Sequence, residues 1–95
     1  MDEKEAINLL ENSRRKIDEF DNQILELILE RTALAKDIVT AKKVLKKDLF
    51  DASREEIIRN KVINAVADKE INTDKVVEVF ELLAAISKEE QKKYL

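Results

Sequence analysis

The chain has no cysteine, no histidine, no glycine and no proline. Without cysteine there is no disulfide framework and no thiol nucleophile, and without cysteine and histidine the usual zinc sites cannot be built. Missing histidine also removes the common general base near neutral pH. Without glycine or proline nothing punctuates the chain into tight β-turns, and no glycine-rich phosphate loop is possible. There are only three Phe and one Tyr, and no Trp. No long uncharged apolar run and no signal-like segment occurs, so no membrane span is expected and a cytoplasmic location is. A net charge of −3 lacks the basic footprint of a nucleic-acid binder.

What remains is 41% charged and rich in Ala, Leu, Glu, Lys and Ile, which are helix formers. Ninety-five residues make a single domain, 1–95, near the lower end of what builds a core alone. An all-α fold of three helices is expected, one of them very long. The first runs from about Glu3 to about Lys46, with an apolar stripe through Ile7, Leu10, Ile17, Phe20, Ile24, Leu27, Ile28, Leu34, Ala35, Ile38 and Ala41. Lys46 to Phe50 reads as a loop. The second helix runs to about Ala67, opened by a Ser53–Glu56 capping box or by Asp51, with Ile58, Val62, Ala65 and Val66 inward. Asn72 or Thr73 caps the third, which carries Val76, Val79, Phe80, Leu83 and Ile86 on one face.

A helix of about 44 residues is about 65 Å long. The two shorter helices cannot cover its whole stripe, so the uncovered part must meet another chain. A closed two-fold homodimer is the commonest solution.

Three cations interrupt the stripe. Arg14 lies four after Leu10, Arg31 three before Leu34, and Lys42 four after Ile38. A charge on a buried face is costly unless paired, and no acid on this stripe pairs evidently with Arg31. An anionic ligand enclosed by helices would supply the missing charge. Arg31 and Lys42 lie about 16 Å apart along the axis, close enough for two long side chains to converge on one small molecule. Arg14 and Arg31 lie about 25 Å apart, so Arg14 would serve the pocket of a partner chain.

Further polar residues fall on inward faces. Arg54 and Glu55 sit at the opening of the second helix, where backbone N–H groups also point outward. Ser87 is four after Leu83, and Gln91 four after Ser87. Each has a plainer reading. An Arg or Lys at a stripe edge snorkels to water, and Glu55 suits the positive end of a helix. Ser87 can bond its own backbone, and a terminal Gln is ordinarily solvated. The number and spacing of these residues resist the plainer readings taken together. The pattern alone stops at a helical dimer with room for an anion.

The run from Arg14 to Lys43, RRKIDEFDNQILELILERTALAKDIVTAKK, closely resembles the long first helix of the all-α (AroQ) class of chorismate mutases. DASREE, from Asp51 to Glu56, resembles that family's Asp–Arg–Glu segment, and Ser87 with Gln91 its C-terminal Ser and Gln. The resemblance extends from about Ile7 to Tyr94.

It implies an intertwined homodimer that rearranges chorismate to prephenate, in aromatic amino-acid biosynthesis, with no cofactor, metal or covalent step. It further implies that the partner subunit's Arg14, with Arg31 and Arg54, holds the substrate carboxylates, assisted by Ser87. Glu55 accepts from the ring hydroxyl, and the backbone near Asp51 donates to the substrate. Lys42 and Gln91 are aimed at the ether oxygen, and Arg31 joins them in the catalytic set. Rival readings are an isochorismate pyruvate-lyase of the same fold and a non-catalytic helical dimerisation module.

Overall fold

Helix is the default for a chain rich in Ala, Leu, Glu and Lys without a breaker. The computed structural model, which describes residues 1–95, contains helices and no strand. Four segments follow one another: α1 Glu3–Ala33, α2 Ala35–Leu45, α3 Ala52–Val66 and α4 Thr73–Lys92. Helix thus runs from Glu3 to Leu45 with Leu34 alone outside it, so the long first helix is present in two segments. At Leu34 the backbone N–H reaches back only three residues, to the Arg31 carbonyl at 3.3 Å, and ψ relaxes to −10°. This is a single 3₁₀-type turn, made without Gly or Pro to announce it.

The chain divides into two compact units, Met1–Glu30 and Arg31–Leu95. In the first, the Asp2 carboxylate accepts the Glu5 N–H at 2.8 Å, and Glu3 and Glu5 add negative charge at the positive helix end. Ile7, Leu10, Ile17, Phe20, Ile24 and Leu27 share one face and are 49–62% exposed. They form an apolar stripe along the length of the helix.

In the second unit α2 and α3 both pack on α4. The core is small: Ala35 and Val39 from α2, Val62 from α3 and Val77 from α4. Ile58, Val66, Val76 and Leu83 are half-buried, whereas Ala65, Val79, Phe80 and Ile86, expected inward, are exposed. The inward line of α4 runs instead through Val77, Ala84 and Gln91, seven residues apart. Apolar residues lie on more than one face of α4, and its two neighbours cover only part of them.

The connections position the site. At the end of α2, Lys46 adopts φ 55°, the left-handed region that favours glycine. Its N–H and that of Lys47 return to the carbonyls of Lys43 and Lys42, at 3.3 and 2.9 Å, in a Schellman closure. Asp51 caps α3, its Oδ1 accepting the Arg54 N–H at 3.0 Å. Ser53 lies within the helix, whereas Asp51 has the extended backbone that a cap needs, so the Ser53–Glu56 box does not form. Asn72 caps α4, accepting from the Lys75 N–H at 3.1 Å. No helix is long and apolar enough to cross a membrane.

Candidate functional site

The second unit forms an open cavity of about 390 Å³, lined by residues from every helical segment of that unit. This is the size of a small-molecule site. Leu34, Ile38, Leu49, Ile58 and Ala84 supply apolar wall; the rest of the lining is polar or charged.

Arg31 enters from the last turn of α1. Its Nη1 donates to the Leu83 carbonyl of α4 at 2.9 Å. One bond leaves most of the five-donor fork for other acceptors. Lys42 enters from the last turn of α2. Its Nζ donates to the Leu49 carbonyl at 2.6 Å and to Gln91 Oε1 at 3.0 Å. Gln91 Nε2 donates in turn to Ser87 Oγ at 3.1 Å. An ammonium only donates, so the amide oxygen must face Lys42, and that choice turns the NH₂ toward Ser87. Gln91 is 6% exposed, the one buried polar side chain in the chain, and no buried side-chain polar atom lacks a partner. A satisfied buried network holds its members in one geometry.

Arg54 and Glu55 enter from the first turn of α3, whose unpaired N–H groups add positive potential. Asp51 fixes this turn through its cap. Glu55 Oε1 meets Lys88 Nζ of α4 at 3.1 Å, and the same ammonium stands 4.3 Å from the Phe50 ring centroid. Arg31, Lys42, Arg54 and Lys88 face two carboxylates, Asp51 and Glu55, a formal excess of two positive charges. The whole chain carries −3, so the cavity is an island of opposite sign. Its charge favours a small anion. No group of His, Cys, Asp or Glu side chains is placed to hold a metal ion.

The cavity brings together Arg31, Lys42, Asp51, Arg54, Glu55, Ser87 and Gln91, all singled out in the sequence. Arg14 belongs to the unit Met1–Glu30 and is not among the lining residues. Lys88 lines the cavity but does not stand out in the sequence. It lies four after Ala84 and seven after Glu81, a line that reads as a solvated face. The Leu49 carbonyl is equally hidden, because a backbone acceptor has no residue signature.

A family model described as chorismate mutase type II matches residues 13–92. The chain belongs to this family. A curated chorismate mutase from Methanocaldococcus jannaschii is 36% identical over 89 residues, which cover 94% of this chain and 90% of that protein. No solved structure matches the chain. The family match takes in all eight candidate residues, from Arg14 to Gln91.

Proposed function

We propose that this chain is a chorismate mutase that converts chorismate to prephenate in the cavity of its second unit, acting as a homodimer. The observation that carries the reading is the Lys42 ammonium. Two of its three protons go to Leu49 and Gln91, and the third is left for a ligand in a cavity with two surplus positive charges.

Chorismate carries two carboxylates, a ring hydroxyl and an ether oxygen. Its rearrangement is intramolecular and needs no nucleophile, which suits a site without histidine or cysteine. The C–O bond stretches before the C–C bond closes, so negative charge builds on the ether oxygen. Donors fixed toward that atom stabilise the transition state more than the ground state. Lys42 supplies a full charge, and Gln91 a second N–H beyond the one held by Ser87. Arg31 and Arg54 clamp the carboxylates and hold the enolpyruvyl arm over the ring in a near-attack shape. Ser87 assists them, Glu55 accepts from the ring hydroxyl, and the backbone at Asp51 donates.

The dimer is supported by the open stripe of α1 and by the size of the core. Four small buried apolar side chains fall far short of offsetting about 1–2 kcal/mol of backbone entropy per residue. A second copy would cover the stripe, and the partner subunit's Arg14 would then complete the carboxylate clamp.

The test is direct. Purified protein is mixed with chorismate, loss of substrate is followed in the ultraviolet, and the product is identified by NMR. Prephenate is the expected product. Pyruvate released from isochorismate, with chorismate left intact, would assign the cavity to a lyase instead.

A further inference from the structure

We propose that Lys88 is a positioning residue for this reaction, acting through Glu55; the proposal rests on the function just given. Glu55 is an awkward neighbour for the substrate, because a carboxylate in the cavity repels a dianion. Lys88 answers that charge at 3.1 Å. Removing the ammonium would leave Glu55 facing the ligand unpaired.

Lys88 also spans the walls. It projects from α4, meets Glu55 on α3, and covers Phe50 in the α2–α3 loop at 4.3 Å. That loop holds Leu49, whose carbonyl steadies Lys42. Glu55 and Lys88 also line a second, mostly apolar cavity of about 140 Å³ between α3 and α4. Glu55 thus borders both cavities, and its ion pair with Lys88 is the contact that ties the carboxylate to α4.

The competing view is that this is an ordinary surface pair. Both side chains are about a third exposed, and such pairs contribute little to folding. That magnitude separates the two roles. Loss of Lys88 should leave stability nearly unchanged and be felt in substrate binding.

The experiment is a double-mutant cycle on the full-length protein, with steady-state chorismate kinetics and thermal melts. Lys88→Met keeps the stem and removes the charge. Coupling between residues in contact predicts that it raises KM about tenfold, with kcat changed much less and the melting temperature held. Lys88→Arg should restore KM toward the parent. In a Glu55→Gln background there is no charge to neutralise, so Lys88→Met should change KM by less than about twofold. An equal KM increase in both backgrounds would mean that Lys88 does not act through Glu55. Parental turnover with an unchanged KM in Lys88→Met would overturn the role of Lys88 alone. A parent that leaves chorismate intact would overturn the function and this role with it.

Discussion

Lys42 and Gln91 form the one place where a buried amide is spent on holding a charged side chain. If the free proton of Lys42 meets the ether oxygen as charge builds there, its loss is felt in kcat. Removing an oxyanion donor of this kind costs roughly 100- to 1,000-fold. Lys42→Ala should therefore lower kcat by at least that much while circular dichroism stays helical. A folded variant with near-parental turnover would remove the electrostatic mechanism. Gln91 offers a finer probe. In Gln91→Glu the carboxylate oxygen can still accept from Lys42, but the group donates only when protonated. Activity should be present below the pKa of the introduced carboxyl and be lost as pH rises through it, while the parent stays nearly flat. Parallel pH–rate profiles for the two proteins would place Gln91 away from the reacting oxygen.

At the scale of elements, the turn after α2 sets where Lys42 can reach. A lysine in the left-handed region costs about 1–2 kcal/mol, and glycine there adds back part of that as unfolded-state entropy. Lys46→Gly should thus stabilise the protein by roughly 0.5–1 kcal/mol, read as a higher urea midpoint at constant slope. A lower midpoint would mean that the lysine side chain contributes something its exposed position does not suggest. This closure also marks the limit of what the sequence made legible. Helix content, the cations at positions 31 and 42, and the Ser87–Gln91 line could be read from periodicity, because a charge at core spacing is conspicuous. The left-handed lysine could not, since only glycine or asparagine would have signalled it. Nor could the turn at Leu34, which involves no breaker residue. The choice of Asp51 over Ser53 depended on where the backbone leaves the extended region. The inward face of α4 depended on which of its several apolar lines meets α2 and α3. Lys88 stayed hidden because its charge is matched across the fold by Glu55, 33 positions earlier.

At the scale of the whole molecule, an acidic chain concentrates positive charge in one cavity and leaves a long apolar stripe open. The two features are linked by Arg14, the candidate that does not line the cavity. If a second copy brings it there, each working site needs residues from both chains. Arg14→Ala and Arg31→Ala homodimers should then each be nearly inactive. In a mixed dimer one site lacks both arginines and the other is whole. Co-refolding an equal mixture makes half the dimers mixed, so activity should return to about a quarter of the parent, as two-fold symmetry requires. This recovery reads catalysis, the cavity and its borrowed arginine in one measurement. A quarter of parental turnover is the predicted result. No recovery, with mixed dimers demonstrated by native mass spectrometry, would contradict a site shared between two chains.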